Sequence, residues 1–549
     1  MNTQTQQFET KRLDHLGIVA GICNRIKLIE RIDNLLPSPS NRTVSCGQAT
    51  QAMVLNALGL SGRALYLMPE YLENKPVDLL IGEGLEAKDF NDDTLGRALD
   101  ELQQAGITGV FGSLASAAVK EYGIEREFGH VDSSSFSLSG SYDSDYAEGI
   151  REKYEAVKIT YGYSKDKRPD LKQIVVNLIT SQRSSLPVWL EALDGNSSDQ
   201  TSFRSTVTDY CEALESEEIP RIICDSAGYT AENLNAWDSF EWITRVPETI
   251  RLAQDSIRIV KTEEMEAYND NYKLLSFCTW YANVKQRWLL VYSQKAWERE
   301  TRQLRRKIEK QQKGKEQAWG QLCRQQISCE ADAMSTLEAF TKSLKWWKIE
   351  SRIVPIKKYA GRGRPSKNSV EEVIGWRIEG ELKVDEKKIE EETRWLGRFI
   401  LATNVVDEEE LSSEEILESY KSQSSSVERG FRFLKDPMFF ADSLFLKSPA
   451  RIMAMIMVMG LALLIYALAE RELRLALSTQ NEKLPDQRGK PTQKITMRRI
   501  AQMFEGVDVL IVRVEDEIVS RQVINMTPVR QKIIELFHPS VGKCYLLDF

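Results

Sequence analysis

The segment FGHVDSSSFSL (residues 128–138) decides the predicted fold, because the sequence pattern changes there from helical to extended. Its apolar and aromatic residues recur without a helical period, which predicts a β-strand. One acidic residue, Asp132, lies inside this run. A carboxylate within a sheet is costly unless it is paired, hydrated or bound to a metal ion. Asp132 is therefore the first candidate functional residue.

The sequence on the C-terminal side of this segment continues the strand pattern. Turn sequences such as KDKRPD and DGNSSD separate the predicted strands from one another. Three antiparallel strands followed by alternating helix and strand predict an α/β or α+β sheet domain. The predicted elements are strands at YEAVKITYGYS, LKQIVVNLIT and SLPVWLEAL, a helix at about 200–216, the strand RIICDSAGY, the helix TAENLNAW and the strand FEWITRVP.

The rest of the chain divides by composition into further predicted regions. Residues 1–126 show helical three- and four-residue spacing, and residues 248–397 mix strands with a long charged helix at about 296–345. The strand RFILATNVV and helices at about 412–434 and 448–475 follow, and then a tail with short strands around LIVRV and CYLLDF. The predicted domains are 1–126 (helical accessory domain), 127–247 and 398–475 (two parts of the core), 248–397 (insertion) and 476–549 (C-terminal region).

Composition narrows the chemistry that the 549 residues can perform. The three histidines are far apart, so a histidine-based triad or metal site is not expected. The eight cysteines form no CxxC pair and follow no secretory leader, which predicts a reducing, cytoplasmic compartment. Metal chemistry would then depend on carboxylates, which favour magnesium or manganese.

Charge is distributed unevenly along this acidic chain. Its net charge is −8, yet Ala296 to Lys367 contains 18 Lys and Arg residues against 8 Asp and Glu residues. A basic segment in an acidic protein indicates nucleic-acid binding. The alternative is a solvated helix whose charges pair with one another.

The stretch from Ile452 to Ala469 contains no charged residue and is just long enough to span a membrane. A helix that is apolar all round is also typical of a large protein core. Since the stretch is single, rich in methionine and followed directly by ERELR, we predict a core helix and no membrane association.

Three acidic residues stand out by position: Asp132 in a strand, Asp225 at the end of the strand IIC, and Glu428 on a later helix. Each alone has the ordinary alternative of a turn or cap residue. Together they match the requirement of two divalent ions for hard oxygen ligands during phosphodiester chemistry. In SSSVERGFRFLKDP (424–437), Glu428 and Lys435 share one helix face, beside an apolar stripe of Val427, Phe431 and Leu434.

The motifs GHVDSSSFS, GYSKDKRPDLKQ, DGNSSD, CDSAGY, ITRVP and VERGFRFLKDP occur in this order. In this the chain resembles the DDE transposases of bacterial and archaeal insertion sequences, in the class named for its Y–R–E–K signature. The resemblance covers about 127–247 and 398–475. It implies an α/β (α+β) fold: a ribonuclease H-like mixed sheet flanked by helices, interrupted by a β-rich and helical insertion, with an N-terminal helical domain that binds DNA ends.

The resemblance also implies roles for individual residues. Asp132, Asp225 and Glu428 would be catalytic and would bind two Mg²⁺ (or Mn²⁺) ions, while Lys435 would contact a DNA phosphate. The signature tyrosine carries over to Tyr420, one residue away from its usual position. The signature arginine does not carry over, because Ser424 occupies its place; Arg429 or Arg432 is the proposed substitute. Surface solvation is the alternative for these two arginines.

Within the predicted insertion, GRGRPSK (361–367) resembles a minor-groove hook, in which Arg362, Arg364 and Lys367 would contact DNA. A basic loop without that role is the alternative. Tryptophans of the same region would stack on an unpaired base or pack in a core, and core packing is preferred for each. They are Trp280, Trp288, Trp346 and Trp347.

The predicted function is DNA transposition: binding of terminal inverted repeats, cleavage of the 3′ ends and their transfer to target DNA. The implied partners are double-stranded DNA and a second copy of the chain in the synaptic complex. The implied location is a prokaryotic cytoplasm, with the protein associated with the nucleoid. Two alternatives remain open, a metal-dependent nuclease of the same fold and a catalytically inactive DNA-binding regulator.

Overall fold

The structure is a computed structural model. It describes residues 6–37, 39, 42–60, 64–140, 142, 156–182, 185–215, 218–359, 371–425, 427–436, 446, 448–514 and 517–547.

Strands occur throughout these residues. In chain order they are β1 Gln6–Arg12, β2 Phe128–Leu138, β3 Lys172–Ser181, β4 Pro187–Leu193, β5 Arg221–Cys224, β6 Trp242–Arg245, β7 Glu266–Ala267, β8 Tyr272–Tyr281, β9 Val284–Ser293, β10 Trp347–Tyr359, β11 Glu371–Val384, β12 Arg398–Thr403, β13 Leu484–Pro485, β14 Pro491–Thr492, β15 Asp508–Val514 and β16 Glu517–Ile524.

Helices precede, separate and follow the strands. In chain order they are α1 Leu16–Arg25, α2 Leu28–Leu35, α3 Cys46–Leu58, α4 Met68–Glu73, α5 Val77–Leu80, α6 Asp92–Gln104, α7 Ile107–Glu121, α8 Asp199–Glu212, α9 Ala231–Ala236, α10 Arg251–Ile259, α11 Gln294–Arg324, α12 Glu330–Lys342, α13 Glu386–Thr393, α14 Ser413–Lys421, α15 Val427–Leu434, α16 Pro449–Thr479, α17 Met497–Phe504, α18 Pro528–Glu535 and α19 Pro539–Cys544.

The chain forms two compact units. The core unit contains residues 1–245, 280–286 and 403–549, and the insertion unit contains residues 246–279 and 287–402.

Five strands of the core unit, β2 to β6, belong to one mixed sheet. They lie in the order β4-β3-β2-β5-β6. The pairs β2–β3 and β3–β4 are antiparallel, whereas β2–β5 and β5–β6 are parallel. Three antiparallel strands followed by two strands parallel to the first are the arrangement of a ribonuclease H-like sheet. The predicted mixed sheet flanked by helices is confirmed.

Helices α8 and α15 both pack against β2 and β3. Gly430 of α15 lies so close to β3 that a Cβ atom there would meet Leu178 Cδ2 at 2.9 Å. Leu178 is the cross-strand partner of Asp132, so their side chains project from the same face of the sheet. The helix that carries Glu428 therefore packs on the face from which Asp132 projects.

The long apolar helix α16 lies in the interior of the core unit, where it packs against α1, α3, α6, α7 and β4. By length and composition it is able to cross a membrane, but 89% of its most apolar window is buried within the protein. Because the helix is apolar all round, it is stable only where every face is covered. The prediction of a core helix is confirmed.

In the insertion unit, strands lie in the order β12-β9-β8-β7, and β10 and β11 form an antiparallel hairpin. Helices α11 and α12 pack on that hairpin around two apolar clusters. The predicted β-rich and helical insertion is confirmed as an element of the fold.

The prediction of one charged helix over 296–345 is wrong, because the chain forms two helices with an extended break at Ile327. The N–H and C=O groups of Ile327 both bond to Trp376 of β11, at 2.8 Å each. These bonds remove Ile327 from the helical hydrogen-bond pattern, which requires the same groups.

The predicted helix at 412–434 is also interrupted. Ser422–Ser425 forms a 3₁₀ turn between α14 and α15. The Ser422 hydroxyl donates a hydrogen bond to the Ser419 carbonyl oxygen at 2.7 Å. Short hydroxylated side chains compete in this way for backbone groups and weaken helices.

Three segments have a secondary structure that differs from the predicted one. The N-terminal region, predicted to be helical, begins with β1, which pairs with the distant β15. Of YEAVKITYGYS, the described part forms only an isolated bridge between Thr160 and Gln173. The segment CYLLDF was predicted as a strand, but its first residue, Cys544, is the last residue of helix α19. Pro539 favours a helix start at this position, and the Val541 and Cys544 side chains are buried by the helix.

Candidate active site

Asp132 and Asp225 come together because their strands are parallel neighbours. In the β2–β5 ladder Phe128 is level with Arg221 and His130 with Ile223. The same register continued by two residues brings Asp132 level with Asp225. Side chains at the same level of adjacent strands project from the same face. The two carboxylates interact electrostatically, and each is half-buried.

The surroundings of Asp132 disfavour its ionised form. Burial raises the pKa of the Asp132 carboxyl to about 6, and the charges of Asp225 and Asp199 act in the same direction. The Lys165 ammonium and the N–H of Ser133 oppose this shift. That N–H donates to Asp132 Oδ1 at 2.8 Å.

Asp225 is fixed by the turn that follows β5. Its carboxylate accepts a hydrogen bond from the Ala227 N–H at 2.9 Å and so caps a 3₁₀ turn, Ser226–Gly228. Its carbonyl oxygen accepts a hydrogen bond from Thr244 Oγ1 at 2.8 Å, which ties the turn to β6. Burial raises the pKa of the Asp225 carboxyl as well.

Two charged residues at this site were missed by the sequence analysis. Lys165 Nζ lies 3.9 Å from Asp132 Oδ1 and 2.9 Å from Asp199 Oδ2. It also donates to the carbonyl oxygen and the hydroxyl of Ser133, both at 2.7 Å. The Ser133 hydroxyl in turn donates to Asp199 Oδ1 at 2.5 Å. Lys165 lies in the motif GYSKDKRPDLKQ and Asp199 in the motif DGNSSD, both of which belong to the family resemblance. Both motifs also contain predicted turns, so neither residue was assigned a role in the site.

Tyr420 interacts electrostatically with the second carboxylate, Asp225. The pKa of the Tyr420 hydroxyl is raised to about 12, chiefly by burial, with Arg245 lowering it and Asp225 raising it. Arg245, the last residue of β6, hydrogen-bonds with Tyr420. Arg245 belongs to the motif ITRVP, for which no residue role was predicted, and the structure places its guanidinium against Tyr420.

Glu428 lies in the first turn of α15, and Lys435 follows its last residue, Leu434. Lys435 Nζ binds Asp166 Oδ1 at 2.6 Å and lies 5.4 Å from the centre of the Phe136 ring. Glu428 is exposed on the first turn of the helix. Within the described residues no group of three or more His, Cys, Asp and Glu side chains is arranged to hold a metal ion. The structure thus brings Asp132 and Asp225 together, and Glu428 remains outside that pair.

The other predicted site residues are distributed as follows. Arg429 forms an ion pair with the buried Glu470, and Arg432 is exposed. The side chain of Ser424 and the whole of GRGRPSK, with Arg362, Arg364 and Lys367, lie outside the described residues.

The four tryptophans of the predicted insertion differ in burial. Core packing is confirmed for Trp288, Trp346 and Trp347, which are buried. It is wrong for Trp280, which is 65% exposed because it projects, like Cys278, from the exposed face of β8.

The carboxylate pair fits a divalent cation by the chemistry of its donors. Carboxylate oxygens are hard ligands, which suit magnesium and manganese. Burial makes the ionised forms of Asp132 and Asp225 unfavourable, and a cation between them would offset that cost. The Lys165 ammonium lies 3.9 Å from Asp132 Oδ1, which shows that the carboxylates attract positive charge to this position.

We expect Asp132→Asn to stabilise the metal-free protein at pH 7.5. Because the folded-state pKa of Asp132 is about 6 and its ordinary value is 3.8, the carboxylate lowers the free energy of unfolding in full above pH 6 and not at all below pH 3.8. This difference corresponds to about 3 kcal/mol at most. Urea denaturation should show the variant more stable at pH 7.5, with about half of that gain at pH 5.

Asp238→Asn, which removes an exposed carboxylate, is the matched control and should change the free energy of unfolding by less than about 0.5 kcal/mol. If Asp132→Asn leaves stability unchanged at both pH values, the carboxylate is not held in an unfavourable environment.

The sheet and its acidic pair define an α/β enzyme with an acidic site at neighbouring strands. The family model described as "Transposase DDE domain" matches residues 125–465, which is more than half of the chain, and "Domain of unknown function (DUF4277)" matches residues 8–116. The chain belongs to the DDE-domain transposase family, and it is a DDE-type DNA transposase. Enzymes of this family act on DNA and generally use divalent metal ions.

Solved structures also match the chain. The cryo-EM structure of the piggyBac transposase synaptic complex with hairpin DNA matches with 9% identity and a TM-score of 0.37, over 91% of this chain and 82% of that chain. The comparison with curated proteins gives no match.

Proposed function

We propose that the chain is the transposase of an insertion sequence in the Y–R–E–K signature class. In this proposal it binds the terminal inverted repeats of its element, cleaves the 3′ ends and transfers them to target DNA. The observation that supports this best is the adjacency of Asp132 and Asp225, with the helix of Glu428 packed on the same face of the sheet.

Asp132, Asp225 and Glu428 would hold two Mg²⁺ or Mn²⁺ ions. Such ions, when bound, activate the attacking oxygen and stabilise the leaving oxygen. Glu428 is exposed and makes no hydrogen bond or ion pair with other described residues, so its side chain is available as the third ligand. The ligand set is then completed by a side chain that does not have to break an existing contact.

Positively charged residues around the carboxylates would hold the DNA backbone. Lys435 would exchange Asp166 for a phosphate, since an ion pair at the protein surface is weak. Tyr420, which interacts with Asp225, and Arg245, which hydrogen-bonds with Tyr420, would supply the hydroxyl and the charge that the signature tyrosine and arginine supply elsewhere.

The remaining parts of the proposal concern the wider complex. Arg362, Arg364 and Lys367 would contact an A·T-rich minor groove, because arginine is attracted to its focused negative potential. Two copies of the chain would pair the two DNA ends in a synaptic complex, in a prokaryotic cytoplasm where the nucleoid is accessible.

The test uses the purified full chain with Mg²⁺, a linear DNA carrying the inverted repeats that flank its reading frame, and a supercoiled plasmid. We expect 3′ cleavage at the element ends and covalent joining of those ends to the plasmid, detected by sequencing of the junctions. Cleavage without joining, under varied metal and target, would replace strand transfer with nuclease activity. Specific end binding without cleavage would favour the regulator.

A further inference from the structure

A cavity of about 670 Å³ lies in the core unit between α15 and α16, next to the predicted catalytic helix. Its size is within the range of small-molecule binding sites. Its lining is rich in arginine. The arginines are Arg429, Arg432, Arg471, Arg474 and Arg498.

The acidic residues of the lining do not balance this charge. They are Glu125, Asp436 and Glu470. The buried Glu470 accepts from both Arg429 and Arg474, the latter at 2.7 Å, and Arg498 lies 3.9 Å from Asp436. These contacts account for three of the arginines as parts of the structure.

Arg432 and Arg471 are different. Within the part of the chain that the structure describes, neither forms a hydrogen bond or ion pair. Two guanidinium groups that line one cavity without an acidic partner repel each other. An anion bound between them would attract both and outweigh that repulsion. Guanidinium groups bind phosphate oxygens through paired N–H donors, which makes phosphate the matching ligand chemistry.

The position of Arg432 indicates where the phosphate comes from. Glu428 and Arg432 are spaced i and i+4 on α15, and Lys435 follows the helix at i+7 with its N–H bonded to the Phe431 carbonyl oxygen at 3.0 Å. The three residues therefore lie on one face. Arg432 is about 6 Å along the helix axis from Glu428. A DNA strand that passes Glu428 and Lys435 therefore meets the mouth of the arginine cavity.

We propose that this cavity binds the phosphodiester backbone of the DNA strand next to the cleaved end, through Arg432 and Arg471. The proposal rests on the proposed function, since it assumes that DNA lies along α15. It adds a second DNA contact region, one helical turn from Glu428, that determines how many base pairs beyond the cleaved bond the enzyme contacts.

The test is the binding of the full chain to a terminal-repeat duplex, with and without flanking base pairs beyond the cleavage site, in EDTA. We expect Arg432→Gln with Arg471→Gln to raise the Kd for the flanked duplex at least 10-fold and to reduce the salt slope by about 1 to 2. The variant should bind the unflanked duplex almost as the unmodified protein does. Arg97→Gln with Arg488→Gln removes the same charge from exposed positions and should change Kd less than 3-fold.

A second variant and a second probe keep the outcomes distinct. Arg432→Lys with Arg471→Lys keeps the charge but not the paired donors, so an intermediate loss is expected even if the glutamine variant folds poorly. Equal losses in the cavity and control variants would overturn the proposal. If inorganic phosphate stabilises the unmodified protein and not the cavity variant, while DNA binding is the same in both, the cavity binds free phosphate and the DNA assignment is wrong.

Failure of this proposal is distinguishable from failure of the proposed function. Cleavage and joining by the unmodified protein, together with unchanged flank binding in the cavity variant, would reject the cavity alone. Absence of both cleavage and end binding in the unmodified protein would reject the proposed function.

Discussion

Asp132→Asn and Asp225→Asn are each expected to lower 3′-end cleavage and strand transfer by on the order of 10³-fold or more. Asparagine keeps the size of the side chain and an oxygen that accepts the Ser133 or Ala227 N–H. It removes the negative charge that a divalent ion requires. Rates of cleavage of a labelled terminal-repeat DNA, measured in single turnover with Mg²⁺, would give the loss directly.

Binding of the terminal repeat in EDTA should persist in both variants, because the phosphate-binding residues are unchanged. Glu428→Gln should show the same loss of cleavage with binding retained, and Asp238→Asn serves as the exposed control. Cleavage within a few fold of the unmodified rate in any one of the first three variants would remove that residue from the predicted catalytic set.

Glu470→Ala is expected to lower the free energy of unfolding by about 2–3 kcal/mol. The Glu470 side chain is 3% exposed, and it binds Arg429 of α15, Arg474 of α16 and the N–H of Met497. Its removal leaves the N–H of the buried Met497 and two partly exposed guanidinium groups, those of Arg429 and Arg474, without this acceptor. Guanidinium chloride denaturation at pH 7.5 measures the change.

Cleavage should also decline in Glu470→Ala, since Arg429 anchors the helix that carries Glu428. Glu470→Gln keeps an acceptor of similar shape and should lose clearly less stability than the alanine variant. Glu505→Ala, at an exposed glutamate, should stay within about 0.5 kcal/mol. A loss below about 1 kcal/mol in Glu470→Ala would show that the buried carboxylate does not organise this part of the core.

Much of the core was predictable because its signals are local. Apolar runs such as IVVNLI give β3 without reference to the rest of the chain, and the uninterrupted apolar stretch gives the buried helix α16. Asp132 and Asp225 were identifiable because a carboxylate within or directly after a buried strand is unusual. Their mutual approach followed once the two strands were predicted to share a sheet.

The missed features depend on contacts between distant parts of the sequence. Lys165 is positioned by Ser133 and Asp199, which are 32 and 34 residues away, and no local pattern shows that these three side chains meet. β1 exists because β15 pairs with it, although about 500 positions separate them. The helix breaks at Ile327 and at Ser422 likewise follow from hydrogen bonds that compete with the helical pattern.

The number of Mn²⁺ ions bound by the chain in complex with a terminal-repeat DNA end tests the carboxylate assignment most directly. Titration followed by electron paramagnetic resonance measures it without any need for turnover. We predict two saturable sites in the unmodified complex and the loss of at least one site in Asp132→Asn, Asp225→Asn and Glu428→Gln. Equal binding by the unmodified protein and all three variants would contradict the assignment.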